Sequence, residues 1–398
     1  MSKKGVTYPI GFTASGVHAG LKKQGALDLA LVVSDRPAAV AGRFTRNVVK
    51  GHSLQVSREH VKGGTARAVM VNAGCANACM GQRGWDDAVA ICDYLAGRLD
   101  CPPQQVLPNS TGVIGQPLPM EKSLSGLDAA IDGLSPEGSD SASQAIMTTD
   151  THPKTATADC TLDGHTVHVG AMAKGSGMIH INLATMISVI TTDAALTPAA
   201  CDELLEQVVV STYNHVTVDG DTSVCDTVLL LANGAAGNPE LDAGDPRLMT
   251  LAVTLKAVAG QLSRMLAADG EGATKLLTIR VEHCPTPSDA RLIGQAIAKS
   301  PLCKTAAYGK DANWGRLITA AGYSGASFDP DKVDIYIGGL QVCADGGALP
   351  FSEEEALAIL DQPEVVYRLD FKQGDFSDFM WTCDLTHDYV TINGSYRS

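Results

Sequence analysis

The stretch Lys174-Gly-Ser-Gly-Met-Ile-His-Ile-Asn-Leu-Ala184-Thr185-Met-Ile-Ser-Val-Ile-Thr-Thr192 runs a glycine-rich turn into a β-branched segment. Gly175 and Gly177 permit backbone angles that other residues avoid. The run from Met186 to Thr192 predicts a strand lying inside a sheet. Thr185 therefore stands at the mouth of a strand. If the peptide bond before Thr185 is cut, its hydroxyl and its freed α-amine belong to one residue, the minimal pairing of nucleophile and base for acyl transfer. Taken alone, a threonine at this position is an ordinary β-former.

Outward from this segment, strand and helix signals alternate. Strands are expected at Leu27 to Ser34 and Arg67 to Asn72, and a helix near Trp85 to Leu99. Pro117 to Ser143 turns to Pro, Gly, Ser and Asp around one modest helix and is expected as a surface connection. Thr197-Pro198 forms an N-cap and first-turn pair for a helix with the stripe Leu204, Leu205, Val208, Val209. Asp245-Pro246 starts another helix, which Asp269-Gly270 ends. Strands are expected at Leu276 to His283, Val333 to Ile337, Glu364 to Phe371 and Tyr389 to Asn393, with Ser352 and Glu355 as a capping box. The alternation predicts an α/β (α+β) layered architecture of two joined lobes.

The composition bounds the function. With 398 residues, 45% of them hydrophobic, the chain can bury a large core. The formal net charge of −14 disfavours nucleic acid and anionic membranes as partners. Apolar runs are too short for a membrane span. Eleven cysteines show no disulfide-scaffold spacing, and with no signal peptide before Gly5 a cytoplasmic location is expected. Cys75 and Cys79 lack a second pair at zinc-site spacing, the ten histidines form no HExxH, and no G-x-S-x-G elbow or nucleotide fingerprint is present. No metal and no cofactor is expected.

Several other residues can carry chemistry. Lys174, a cation eleven positions before Thr185, would lower the pKa of a freed amine by like-charge repulsion. Ser110-Thr111-Gly112-Val113-Ile114-Gly115 reads as a small-residue turn whose backbone N–H groups and Thr111 hydroxyl can stabilise an oxyanion. Glu271, between Gly270 and Gly272 after a helix, can bind a substrate ammonium.

Lys174-Gly-Ser-Gly-Met-Ile-His180, Ala184-Thr185-Met186 and Ile190-Thr-Thr-Asp193 closely resemble the self-processing region of ornithine acetyltransferases. The resemblance extends to Val71-Asn-Ala-Gly74 with Ala76-Asn-Ala-Cys79, Ser110 to Gly115, Met147-Thr-Thr-Asp-Thr151, Asp269-Gly-Glu-Gly272, Asp311-Ala-Asn-Trp-Gly-Arg316 and Asn393 to Ser398. It implies a two-lobed αββα-type fold and an enzyme of arginine biosynthesis moving acetyl from N2-acetylornithine to glutamate, with acetyl-CoA as an additional donor in bifunctional members. It further implies self-cleavage between Ala184 and Thr185, giving an α chain 1–184 and a β chain 185–398 that assemble as a heterotetramer. On this mapping Thr185 is the nucleophile and Thr111 and Gly112 form the oxyanion hole. Thr148, Lys174, Glu271, Asn393 and Ser398 join Thr185 in binding substrate.

The chain departs from the family pattern at Ile181-Asn-Leu183, where His-Pro-Asn-Met is usual around the histidine, and at Cys75 and Cys225, where amides are usual. A self-processing amidohydrolase or aminopeptidase of similar fold, and an uncleaved non-enzymatic relative, are the alternative readings.

Overall fold

The computed structural model describes residues 5–22, 25–180 and 186–395. Ala184, Thr185 and Ser398 lie outside the described residues. Two compact units are present, one reaching Asn214 and including Thr222–Leu262, the other made of His215–Asp221 and the residues from Ser263 onward.

The first unit runs β1 (Phe12–Val17), β2 (Leu29–Phe44), α1 (His52–Val61), β3 (Thr65–Cys75), α2 (Gly81–Leu99), β4 (Val106–Val113), α3 (Met120–Asp132), α4 (Ser139–Ala145), β5 (Lys154–Leu162), β6 (His165–Lys174), β7 (Ile187–Thr192), α5 (Pro198–Ser211) and β8 (Thr227–Ala232). β2 decides its shape. The first half of β2 pairs with β1 and β3, its last six residues pair with β8, and its register to β3 slips between Val33 and Ala38. Asp35, Arg36 and Pro37 stand exposed at that slip, and a proline cannot donate to a ladder. β2 thus bends and carries the sheet, ordered β4-β3-β2-β8-β7-β6-β5, from one layer into another.

Between the layers, Val69, Val71 and Leu107 of β3 and β4 pack with Met172, Ile187, Val189, Leu229 and Leu231 of β6 to β8. A second core joins Leu29, Leu31 and Met70 to Ile91 and Leu95 of α2 and Leu127 of α3. α5 packs on β2 and β8. The fold is mixed α/β, with sheets and helices in layers, as expected. β7, between β6 and β8, has all six residues buried, which is why its sequence is apolar and β-branched without alternation.

α6 (Leu248–Ala268) passes the unit boundary at Leu262. The second unit continues with β9 (Leu276–Cys284), α7 (Pro287–Lys299), α8 (Pro301–Gly309), α9 (Trp314–Gly322), β10 (Asp334–Ile337), β11 (Leu340–Ala344), β12 (Gly347–Ala348), α10 (Glu353–Leu360), β13 (Glu364–Asp370), β14 (Phe376–Cys383) and α11 (His387–Gly394). Its sheet is ordered β12-β11-β10-β13-β9-β14, parallel between β9 and β13 alone. No helix among the described residues is long and apolar enough to cross a membrane.

The expected cap at Thr197 forms, its Oγ1 accepting from Ala200 N at 3.2 Å, and at α10 the serine half of the expected box forms, Ser352 Oγ accepting from Glu355 N at 3.1 Å. Four expectations need correction. The connection from Pro117 to Ser143 holds two helices, α3 and the start of α4. Ser110 to Val113 is the end of β4 and not a turn. α6 starts at Leu248, because Asp245 Oδ1 accepts from Arg247 N at 2.9 Å and closes a turn ahead of the helix. Tyr389 to Asn393 is helical: Thr386 caps α11 by accepting from Tyr389 N, and Asn393 Nδ2 and Thr391 Oγ1 each donate to the carbonyl four residues back. Local capping here outweighs the β-propensity of Tyr-Val-Thr-Ile.

Candidate active site

β4 and β3 run parallel, with Ala73 opposite Thr111 and Gly74 opposite Gly112. Gly112 has φ 129°, and a Cβ added there would lie 2.4 Å from the Gly74 carbonyl carbon, so glycine is required. A buried polar network supports this strand end. Ser110 Oγ donates to Asn72 Oδ1 at 2.6 Å and lies 2.7 Å from Ser53 Oγ, which accepts from Asn77 Nδ2 at 3.1 Å. Groups paired in this way hold Thr111 and Gly112 in one geometry, as an oxyanion hole demands.

The bend in β2 brings the end of β6 to this place. Lys174, the last residue of β6, is buried, and its Nζ donates to Thr111 Oγ1 at 3.4 Å. Burial lowers its pKa, the neighbouring Lys154 adds to the lowering, and Asp150 opposes it. Asp150 organises the surroundings: Oδ1 accepts from Lys154 Nζ and from Gly175 N, both at 2.7 Å, and Oδ2 from Thr148 N at 2.9 Å. Burial raises the Asp150 carboxyl, yet the Lys174 and Lys154 ammoniums and the Gly175 N–H outweigh it and hold the group far below the usual carboxylate range. Both side chains of the Asp150–Lys154 pair are wholly inaccessible. Lys22 belongs to the same field. Its side chain packs on Gly74, its Nζ donates to Leu27 O at 2.7 Å, and burial brings its pKa down to about 8, with Lys174 adding to the lowering and Asp28 opposing it.

Thr185 itself is outside the described residues, but Met186, which follows it, is fixed. Met186 N donates to Asp226 Oδ1 at 3.1 Å, and Met186 O accepts from Thr227 N at 3.0 Å. Burial pushes the Asp226 carboxyl well above the usual range, and Oδ2 has no hydrogen-bond partner among the described residues, since Thr45 Oγ1 donates instead to Ser223 O at 2.8 Å. β6 pairs Lys174 with Ile187. The chain on the C-terminal side of Thr185 is therefore anchored at the sheet end that carries Lys174.

In the second unit, Glu271 is buried in the turn after α6, and Oε2 accepts from Asn393 Nδ2 at 2.7 Å. Gly272 holds the turn against α11: its φ is 68°, a Cβ would lie 2.7 Å from Tyr389 N, and its carbonyl accepts from Thr386 Oγ1 at 2.7 Å. Asn393 stays exposed on α11. The group in this unit with metal-site geometry, Glu282, His283 and Asp370, is already paired, His283 Nδ1 to Asp370 at 2.8 Å and Glu282 to Arg368 at 3.3 Å.

The structure thus brings Thr111, Gly112, Thr148 and Lys174 into one cluster, and Glu271 and Asn393 into a pair. Sequence reasoning missed Asp150, Lys154, Lys22 and Asp226. Lys154 carried a faint signal, since strand alternation puts it on the same face as buried Ala156. The two cysteine departures are accommodated: Cys75 Sγ donates to Gln116 O at 3.2 Å and Cys225 Sγ to Ala76 O at 3.5 Å. Burial pushes the Cys225 thiol up to about 12, which favours the unreactive thiol over the thiolate. All eleven cysteines are free.

Known proteins share this sequence closely. The chain is 48% identical over 396 residues to the arginine biosynthesis bifunctional protein ArgJ of Symbiobacterium thermophilum, covering 99% of this chain and 98% of that one. It is 45% identical over 397 residues to the protein of the same name from Caldanaerobacter subterraneus subsp. tengcongensis, at the same coverage. The crystal structure of arginine biosynthesis bifunctional protein ArgJ from Bacillus halodurans aligns with a TM-score of 0.50 at 38% identity, covering 52% of this chain and 97% of that one. The ArgJ family model matches residues 13–398, and the chain belongs to the ArgJ family.

Proposed function

We propose that this chain moves an acetyl group from N2-acetylornithine to glutamate through an acetyl ester on Thr185, after cutting itself between Ala184 and Thr185 into chains 1–184 and 185–398. By its family it is an acyltransferase of arginine biosynthesis. The observation that carries the finer reading is the Lys174–Thr111 contact at the sheet end where the strand after Thr185 begins.

In the maturation step, Thr185 Oγ attacks the Ala184 carbonyl, the C–N bond breaks as the acyl group shifts to oxygen and frees the Thr185 α-amine, and water then hydrolyses the ester to release the Ala184 carboxylate and the Thr185 hydroxyl. That amine, with a reference pKa of about 7.7 to 8.0, then takes the proton of its own hydroxyl as Oγ attacks the acetyl group of acetylornithine. The buried Lys174 ammonium favours the neutral amine by like-charge repulsion. Thr111 and Gly112 stabilise the tetrahedral oxyanion, and ornithine leaves. Glutamate attacks the acetyl ester in the second half of a ping-pong cycle. Glu271 offers a carboxylate to the substrate ammonium, and Thr148, Asn393 and Ser398 complete its recognition. Acetyl-CoA serves as a second acetyl donor, two copies of each cleaved chain form a heterotetramer, and no step calls for a metal or cofactor.

The test is intact mass spectrometry under denaturing conditions beside a Thr185→Ala control, followed by assay with acetylornithine and glutamate. Fragments of 184 and 214 residues, absent from the control, are expected. A single uncut chain that still transfers acetyl would overturn the self-generated nucleophile, and kinetics that require both substrates bound together would overturn the acetyl-enzyme.

A further inference from the structure

β8 lies between β2 and β7, and its first residue, Thr227, pairs with Phe44 on one side and Ile187 on the other. One residue earlier, at Asp226, the ladder to β7 changes character. Met186 O still accepts from Thr227 N at 3.0 Å, and continuation of the parallel pattern would send Met186 N to the Cys225 carbonyl. That carbonyl accepts instead from Thr227 Oγ1 at 3.2 Å, and Met186 N donates to the Asp226 side chain, Oδ1, at 3.1 Å. A carboxyl thus stands in for a backbone acceptor at the position next to Thr185. Its own main chain is braced: Asp226 O accepts from Thr45 N at 3.0 Å, and Val224 O, two residues earlier, from Gly51 N at 2.8 Å.

Covalent geometry carries this contact to Thr185. The N–H that Asp226 holds belongs to the peptide unit joining Thr185 to Met186, and the planarity of that unit puts Thr185 Cα in one plane with Met186 N, H and Cα. Because Met186 O is fixed as well, the peptide units on both sides of Met186 are tied to β8. The Thr185 α-amine is bonded directly to that Cα, and Oγ1 lies one carbon beyond it. Asp226 is buried, and burial raises its carboxyl well above the usual range against the pull of the Met186 N–H and the Lys174 ammonium. The group is therefore neutral, and it takes the Met186 N–H as an amide oxygen would.

We propose that Asp226 is a positioning residue for the chemistry at Thr185: its side chain fixes the Thr185–Met186 peptide unit, and with it the range open to the threonine hydroxyl and α-amine, in self-cleavage and in acetyl transfer alike. The proposal rests on the assignment of Thr185 as nucleophile. In this role Asp226 neither gives nor takes a proton, so another oxygen of the same reach can replace it. Removing the oxygen leaves Met186 N without an acceptor and frees the peptide unit to turn, which lowers the fraction of time that the nucleophile spends in attacking position.

The test compares the full-length wild type with Asp226→Asn, which keeps an oxygen for Met186 N, and with Asp226→Leu, which has the same branched shape and no acceptor; Asp226→Ala serves the same end should the leucine variant not fold. Val208→Ala, a cavity in the buried face of α5, is the control for lost stability. Intact mass is followed over time on freshly translated protein, and the matured enzyme is assayed with acetylornithine and glutamate. The leucine variant is expected to cleave about 10²-fold more slowly than wild type and, once matured, to show kcat lowered by about 10²-fold with both KM values within about twofold. Asp226→Asn is expected to stay within about threefold of wild type in both rates. Val208→Ala is expected to melt at a lower temperature and yet match the wild type in both. Wild-type cleavage and kcat in the leucine variant would overturn the proposal. Losses in Asp226→Asn as large as those of leucine would overturn it too, since the charge and not the held N–H would then matter, as would losses in Val208→Ala that follow its melting temperature. A wild-type chain that stays uncut would instead strike the Thr185 reading.

Discussion

The cluster around Thr111 and the Glu271–Asn393 pair are both candidate binding elements, yet they are built by opposite means. In the first, the charged and polar groups lie inside a folded-over sheet. Asp150 accepts three hydrogen bonds, Lys154 is wholly buried, and Ser110, Asn72, Ser53 and Asn77 form a continuous network. In the second, a buried carboxylate in a turn meets an exposed amide on a short terminal helix with no buried residue. The difference teaches where each kind of chemistry is placed. Groups that stabilise a transition state must not relax, and burial within a hydrogen-bonded network resists relaxation. A group that recognises a substrate ammonium can sit on a cap that yields.

The largest effect should separate the two regions by stability. Asp150→Ala leaves Lys154 and Lys174 buried without their carboxylate, and breaking such a pair costs about 3 to 5 kcal/mol. Glu271→Gln keeps a hydrogen-bond acceptor toward an exposed partner and should cost under about 1 kcal/mol. Denaturant unfolding of both variants checks this; equal losses would erase the distinction.

Thr111→Val should divide stability from activity within the first region. It removes the acceptor of the Lys174 ammonium and one proposed donor to the oxyanion, so kcat for acetyl transfer should fall by about 10² to 10³, whereas unfolding free energy should fall by only about 1 to 3 kcal/mol. A near-normal kcat would remove Thr111 from the oxyanion hole. Glu271→Gln should act in the other kinetic parameter. Losing the charge that we propose faces the substrate ammonium is expected to raise KM for acetylornithine by about tenfold with little change in kcat, as steady-state kinetics would show.

The two regions were unequally legible. The strand after Thr185, the caps at Thr197 and Ser352, and the helix before Glu271 follow from local patterns, because apolar runs and capping residues act over a few positions. Thr111, Gly112 and Lys174 were found through motif blocks. Asp150 stood within a block without a role, and Lys154 and Lys22 in none, because their roles depend on β2 bending at Asp35 to Pro37 and folding β6 onto β4, a long-range event that no window of sequence contains. The helix at the C-terminal end failed for the converse reason. Tyr-Val-Thr-Ile has strand propensity, but the Thr386 cap and the turn at Gly272 decide its conformation.

The last effect is one of pH, and it tests whether Lys22 shares the buried field. Burial brings Lys22 from 10.5 down to about 8 in the folded protein. Between those values the unfolded chain holds a proton that the folded chain has released, so the unfolded state binds more protons and stability rises with pH. The unfavourable burial of the charged amine is fully felt below about 8 and is relieved as pH climbs toward 10.5. Lys174, also shifted downward, adds a rise of the same sign. Urea midpoints measured from pH 7.5 to 10 should therefore climb in the wild type more steeply than in Lys22→Met, which has no amine to titrate and should be relatively stabilised at the lower end. Parallel curves would mean that Lys22 is solvated, and that the cluster around Thr111 ends at Lys174 and Asp150.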